Sequence, residues 1–473
     1  MKTARAWARR LVVGLAGPWP TAREWAWLQA WEPAGIILFS RNISSFGQLH
    51  GLCRALKGAR ADLLICADHE GGPVSQLAGA VGRPPAAWGL GRLSDEDLTF
   101  RVHRETGRRL RTAGVDMVLG PCADIMTEMR NPVIGARAFG KDTKLVTRQV
   151  AAAVRGLRAG GVQTCLKHWP GHGDATVDSH RDTPLVRLSS AQQAVFQAGL
   201  EAGAEGVMLG HLRTAGERTL PATLDADRLG DLRRELGKGT PWLAVADDVS
   251  MGALRRPMRQ AGIQVPGDDG TGMLAVESLP ADWFAAMERG GCDLWLLRAL
   301  PTGAFPCPED GLAGPVQANP EAALPDPDES VYREARRRLV EEAPPLGGRA
   351  LIALDLAGQD RWQVAIGTGE EEHGKLRERL GAVFEATDWS EDPDAAAGGN
   401  GAVDALLVAS HRPLPAKWAE GAWFVSLRSR LSPRGDCRVL GHPSLAKSLR
   451  DALPAGWIIT ACHDMTWDDL VPD

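Results

Sequence analysis

Eight short apolar runs punctuate the first part of the chain: Leu11–Leu15, Gly35–Phe39, Leu63–Ala67, Val115–Leu119, Val162–Leu166, Gly206–Leu209, Trp242–Ala246 and Cys292–Leu297. Between them lie stretches rich in Ala, Arg, Leu and Glu, such as Leu145–Ala159 and Ala191–Ala202, whose apolar positions recur at helical spacing. Strands that are apolar at every position are buried on both faces, the condition of a parallel sheet covered by helices. The alternation therefore predicts an α/β fold. Eight units suit a (β/α)8 barrel of the TIM type, which places its chemistry at the C-terminal strand ends. A doubly wound open sheet satisfies the same strand count.

From Pro301 to Asp328 the pattern gives way to Pro and Gly, then Glu329–Glu342 reads as one charged amphipathic helix. Pro344-Pro345-Leu346-Gly347-Gly348 reads as a linker. Beyond it a second set of runs follows: Ala350–Leu356, Trp362–Ile366, Val403–Ala409, Trp423–Leu427, Cys437–Leu440 and Trp457–Thr460. The expected division is a barrel domain over 1–343 and a smaller α/β open-sheet domain over 344–473. Gly367-Thr368-Gly369 is too short for a nucleotide fingerprint. The apolar Leu11–Gly17 stretch after a basic start is minimal for a secretory leader and reads better as a first buried strand. No window reaches the roughly 18 apolar residues of a membrane span.

Composition narrows the function classes. Hydrophobic residues at 44% and charged residues at 24% are those of a globular protein. With 54 basic and 59 acidic residues the net charge is −5, so neither nucleic acid nor an anionic membrane is expected as a partner. The eight cysteines include no Cys-x-x-Cys pair and mostly sit in apolar runs such as Leu64-Ile65-Cys66-Ala67. That is the usage of buried thiols in a reducing compartment, so a cytoplasmic location is expected.

Several runs end in polar residues, and there the candidate chemistry lies. Lys167-His168-Trp169-Pro170-Gly171-His172-Gly173-Asp174 begins at the end of a predicted strand and continues to Asp178-Ser179-His180. Two readings compete. In one, His168, His172, Asp174 and His180 ligate a metal ion, since imidazole and carboxylate suit zinc or iron. In the other, Asp178 fixes the tautomer of His180, which handles a reacting proton. A second cluster, Asp247-Asp248-Val249-Ser250-Met251, follows the seventh run; adjacent carboxylates there are costly unless paired or catalytic. Asp247 is the candidate nucleophile and Asp248 the candidate cap of the following helix. In the third, Asp68-His69-Glu70-Gly71-Gly72, the glycines permit a tight turn and Asp68 faces the mouth.

These segments together resemble glycoside hydrolase family 3, and within it the NagZ-type β-N-acetylglucosaminidases. The resemblance is carried by Gly35-Ile36-Ile37-Leu38-Phe39-Ser40-Arg41-Asn42, Asp68-x-Glu70-Gly71-Gly72, Asn131-Pro132-Val133-Ile134-Gly135-x-Arg137-x-Phe139-Gly140, Lys167-His168-Trp169-Pro170-Gly171-His172-Gly173-x4-Asp178-Ser179-His180 and Asp247-Asp248-Val249-Ser250-Met251. It implies a barrel followed by an α/β sandwich, with no cofactor and no metal. The implied nucleophile is Asp247, the acid/base His180 and its partner Asp178. Asp68, Arg137, Lys167 and His168 would hold the sugar. The implied reaction is retaining removal of terminal β-linked N-acetylglucosamine from cell-wall fragments, a carbohydrate being the partner. This chain departs from the family pattern at Pro73 and Gln76, where arginines are usual, and at Ala136 and Ala246. Those departures keep a catalytically inactive glycan-binding homologue in view, beside the metal-dependent barrel hydrolase.

Overall fold

In the computed structural model the eight runs become the staves of a closed parallel barrel. The strands are β1 (Leu11–Gly14), β2 (Gly35–Leu38), β3 (Leu64–Ala67), β4 (Met117–Val118), β5 (Gln163–Trp169), β6 (Gly206–Leu209), β7 (Leu243–Ala246) and β8 (Leu294–Leu297). Each pairs with its neighbours in sequence, and β8 returns to β1 with Trp295 opposite Leu11. Closure decides between the two predicted architectures, because a closed barrel leaves no strand edge unpaired. The structure describes residues 2–308 except 129–130, 132, 176–178, 180–181, 215–219, 237–240 and 268–271; beyond 308 it describes a helix and five strands.

Every strand sends one side chain into the barrel interior: Val12, Ile37, Cys66, Met117, Cys165, Met208, Val245 and Leu296. Their neighbours Leu11, Val13, Ile65 and Leu297 belong to the opposite strand face and are equally buried. Burial of both faces explains why the runs show no polar alternation. The helices begin where the sequence supplies side-chain caps. Asp142 accepts from Leu145 N–H ahead of helix Thr143–Ala159, and Ser189 from Gln192 N–H ahead of helix Ser190–Glu201.

Two strands differ from expectation. The Val115–Leu119 run yields only the short β4, and Pro121, which has no N–H to donate, follows two residues after Leu119. Conversely β5 continues through Lys167, His168 and Trp169, beyond the predicted Val162–Leu166 run. It continues because Lys167 O accepts from Ala123 N–H at 2.7 Å and Trp169 O from Gly210 N–H at 2.9 Å.

The chain divides into two compact units, 1–332 and 333–473. Helix Ser330–Glu341 matches the predicted amphipathic segment. Its Tyr332, the single tyrosine of the chain, belongs to the first unit; its hydroxyl lies 2.7 Å from Thr106 Oγ1 and the Arg109 guanidinium stacks on its ring. In the second unit Ala350–Asp355 pairs antiparallel with Trp362–Ile366 and parallel with Ala405–Ala409. Leu440–Gly441 pairs with Thr460–Ala461. The predicted Trp423–Leu427 strand lies outside the described residues.

Candidate active site

The site is built by the two-residue period of the barrel strands. Cys66, Cys165 and Val245 point into the interior, so Asp68, Lys167 and Asp247, two residues further along β3, β5 and β7, fall on the same face at the C-terminal mouth. Three of the predicted site residues are therefore brought together by strand register alone. Arg137 comes from the single helical turn Gly135–Arg137 and His168 from β5.

A network of charged groups joins them. The Lys167 ammonium contacts Asp68 Oδ1 and Glu70 Oε1, each at 2.5 Å, with only 2% of its side chain exposed. Glu70 also receives two hydrogen bonds from Arg137, from Nε at 3.0 Å and from the terminal Nη2 at 2.9 Å. The same Nη2 lies 3.0 Å from His168 Nε2, and His168 Nδ1 lies 2.8 Å from Asp124 Oδ2. The carboxylate makes Nδ1 the protonated nitrogen, so Nε2 accepts from Arg137. An ammonium has three donors, so Lys167 retains one for a substrate oxygen.

Asp247 stands at the end of β7, its backbone N–H donating to Leu209 O at 3.1 Å and its Oδ1 accepting from Asp248 N–H at 2.8 Å. Burial raises its pKa, but the nearby His168, His211, the Asp248 N–H and Lys167 outweigh burial and hold it below the ordinary carboxylate value. It is thus ionised, as a nucleophile must be. Asp248 moves the other way, raised by burial although Ser250 donates from both its N–H and its hydroxyl. Adjacent carboxylates with opposite shifts are suited to different work. The expectation that Asp248 caps a helix is corrected: its acceptor closes a turn onto Ser250, and the next helix starts only at Arg255. Its carbonyl also accepts from His211 Nε2 at 2.8 Å.

The glycines after Glu70 have a conformational reason. Gly71 and Gly72 adopt φ of 103° and 54°, and a Cβ on Gly71 would stand 2.4 Å from Pro85 O. They close the hairpin of His69–Gly71 with Val74–Ser75 that aims Glu70 inward. At one departure from the family pattern, Gln76, the side-chain Oε1 accepts from Ser40 N–H at 3.1 Å; next to another, Pro73, Arg83 donates to Gly72 O.

Asp178 and His180 lie outside the described residues; Ser179 between them is described and buried. Of the alternative metal set, the described members His168, His172 and Asp174 are engaged separately. His172 Nε2 lies 3.0 Å from Ser179 Oγ, and Asp174 Oδ2 accepts from Arg187 N–H at 2.9 Å. Among the described residues the potential metal-ligand group is Cys122, Asp124 and His168, whose donor atoms lie within 4.8 Å of one another. Its geometry fits a hydrogen-bond chain, since the thiol donates to Asp124 at 3.2 Å and Asp124 already holds His168. Sequence reasoning missed Glu70 and Asp124 as site residues. The signals were present: a second carboxylate in Asp68-His69-Glu70 and a polar residue just past a buried strand.

Residues 12–265 match the model of the glycosyl hydrolase family 3 N-terminal domain. A β-hexosaminidase of Stenotrophomonas maltophilia (strain R551-3) is 35% identical over 257 residues, covering 51% of this chain and 75% of that protein. A β-hexosaminidase of Xylella fastidiosa (strain 9a5c) is 34% identical over 258 residues, covering 52% and 76%. Among solved structures, NagZ from Neisseria gonorrhoeae superposes with a TM-score of 0.52 at 28% identity, covering 61% of this chain and 81% of that one. A family 3 β-N-acetylglucosaminidase from Paenibacillus sp. str. FPU-7 shares the fold with a TM-score of 0.60 at 22% identity, covering 87% and 85%.

Proposed function

Because this chain belongs to glycosyl hydrolase family 3 and is a β-N-acetylhexosaminidase, we propose that it removes terminal β-linked N-acetylglucosamine with retention, using Asp247 as nucleophile. The observation that carries this reading is the position of Asp247 at the end of β7, on the same barrel face as the Asp68–Lys167–Glu70–Arg137 network. In the first step an Asp247 oxygen forms a bond to the anomeric carbon as the glycosidic C–O bond breaks. His180, oriented by Asp178, delivers a proton to the departing oxygen. In the second step His180 takes a proton from water, whose oxygen replaces Asp247 at the anomeric carbon. This is the two-group retaining scheme with an imidazole in place of one carboxyl group.

Asp68 and Lys167 are assigned to the sugar hydroxyls, since a carboxylate and an ammonium N–H at the mouth match adjacent hydroxyl donors and acceptors. Arg137 and His168 are assigned to the sugar and acetamido contacts, each already oriented by protein partners. The proposed substrates are cell-wall fragments with a terminal N-acetylglucosamine.

Hydrolysis of aryl β-N-acetylglucosaminide against the matching β-glucoside, with and without phosphate, tests the substrate class and the acceptor. Asp247→Ala should lower the aryl rate by roughly 10³-fold or more with the thermal midpoint unchanged. A fluorinated slow substrate should label Asp247 in peptide mapping. A label on Asp248, or an oxazoline product without any adduct, removes the assignment.

A further inference from the structure

Resting on the assignment of Asp247 as nucleophile, we infer that His211 is its positioning residue, holding the Asp248 backbone that decides which Asp247 oxygen is left to react. The two carboxylate oxygens are not equivalent. Oδ1 accepts from Asp248 N–H at 2.8 Å, and among the described residues no hydrogen bond reaches Oδ2. A hydrogen bond stabilises the charge on the oxygen that accepts it, so Oδ2 is the one left to attack. The carboxylate keeps this orientation only while the Asp248 N–H stays in place. Two backbone dihedrals separate that N–H from the Asp248 carbonyl, so whatever fixes the carbonyl restricts the N–H.

Two donors reach that carbonyl. Met251 N–H donates at 2.9 Å from within the same turn, a bond that moves with the turn. His211 Nε2 donates at 2.8 Å from just past β6, a bond that anchors the turn to the barrel. β7 lies between β6 and β8. On the β8 side the tie is backbone alone, Val249 N–H donating to Leu296 O at 3.0 Å. On the β6 side, beyond the bond from Asp247 N–H to Leu209 O, the turn is held by the His211 side chain.

His211 is itself fixed. Its Nδ1 lies 2.8 Å from Thr223 Oγ1, and both residues are fully buried. A carbonyl only accepts, so Nε2 carries a proton. In the neutral ring Nδ1 accepts from the Thr223 hydroxyl; a charged ring donates there instead, because a hydroxyl serves either way. Both bonds therefore persist in either protonation state. Thr223 sits in the single turn Ala222–Leu224, whose Ala222 N–H donates to Leu212 O at 2.9 Å. That turn is pressed against helix Ala281–Gly290, where a Cβ on Gly290 would stand 2.2 Å from Thr223 O. One chain, Thr223–His211–Asp248–Asp247, thus runs from the barrel wall to the nucleophile.

The test uses 2,4-dinitrophenyl β-N-acetylglucosaminide, whose leaving group departs with little protonation, so that kcat/KM reports nucleophilic attack rather than acid catalysis. The panel is His211→Leu, His211→Gln, Thr223→Val and Asp247→Ala. A misaimed nucleophile slows attack but leaves the sugar contacts in place. His211→Leu should lose roughly tenfold or more in kcat/KM, while the inhibition constant of N-acetylglucosamine changes by less than about threefold. His211→Gln, whose amide can donate to the Asp248 carbonyl, should return to within about threefold of the wild-type rate. Thr223→Val keeps the volume and loses the hydroxyl, so it should lose about three- to tenfold with inhibitor binding unchanged, and it decides the matter if His211→Leu does not fold. No loss in the His211 and Thr223 variants, or a loss matched by weaker inhibitor binding, would overturn the positioning role while an inactive Asp247→Ala leaves the nucleophile standing. Full turnover by Asp247→Ala would overturn both.

Discussion

Glu70 accepts from Arg137 and from Lys167 with only 2% of its side chain exposed, so this buried carboxylate, with Asp68 sharing Lys167, balances two cations. Burial raises its pKa, yet Arg137 and Lys167 outweigh this and bring it from 4.5 to about 2. A depression of that size corresponds to on the order of 3 kcal/mol of folding stability. Because the folded-state value lies below the unfolded one, that stability is present above pH about 4.5 and is lost as pH falls toward about 2. Glu70→Gln keeps the shape and removes the charge. Urea denaturation at pH 7 should show a loss of about 3–5 kcal/mol, the cost of leaving buried charge uncompensated. Between pH 4.5 and 2 the variant's stability should fall less steeply than the wild type's; parallel curves would mean that Glu70 is not ionised. The carboxylate was visible in the sequence motif. Its role was not, because both cations it binds come from distant segments.

At the scale of elements, the site depends on two loops approaching more closely than side chains allow. A Cβ placed on Gly173 would stand 1.7 Å from Ile125 O, and Glu128 N–H donates to Gly173 O at 3.0 Å. This contact seats the loop after β5 against the loop after β4, where Asp124 reaches both His168 and His172. Gly173→Ala should push the loops apart, lowering kcat/KM for the aryl glycoside by about tenfold or more. The thermal midpoint should fall as well, by several degrees for about 1–3 kcal/mol of overpacking. Gly79→Ala, at a helical glycine whose Cβ meets nothing within 4 Å, is the control and should leave both unchanged. The pattern along the chain located β5 but not its length. The bonds that extend it through Trp169 come from Ala123 and Gly210, which lie far away in sequence.

For the molecule as a whole, barrel closure protects thiols that the sequence could only classify. Cys53, Cys66, Cys122, Cys165 and Cys292 are buried and free, whereas Cys307 is partly exposed. Burial raises the Cys53 and Cys292 pKa to about 12 and the Cys66 and Cys122 pKa well above the ordinary thiol value, which suppresses the reactive thiolate. Alkylation of the native protein at pH 8 with peptide mapping should modify Cys307 first among the described cysteines. The barrel-interior Cys66 and Cys165 should react only across the urea unfolding transition. Early labelling of Cys66 would show that the barrel opens locally rather than as one unit.

By itself the sequence determined the eight strands, their α/β alternation and the three polar clusters at strand ends, because a strand buried on both faces must be apolar throughout. The same two-residue period that makes Cys66, Cys165 and Val245 interior determined that Asp68, Lys167 and Asp247 share one face. Only the tertiary structure decided that the sheet closes. The reason is that pairing β8 with β1 joins residues as distant as Leu11 and Trp295, and nothing local encodes it. Tertiary structure likewise decided that Glu70 and Asp124 hold the site together. A carboxylate's partner depends on which loops meet at the mouth, and those meetings are contacts between segments far apart in the chain.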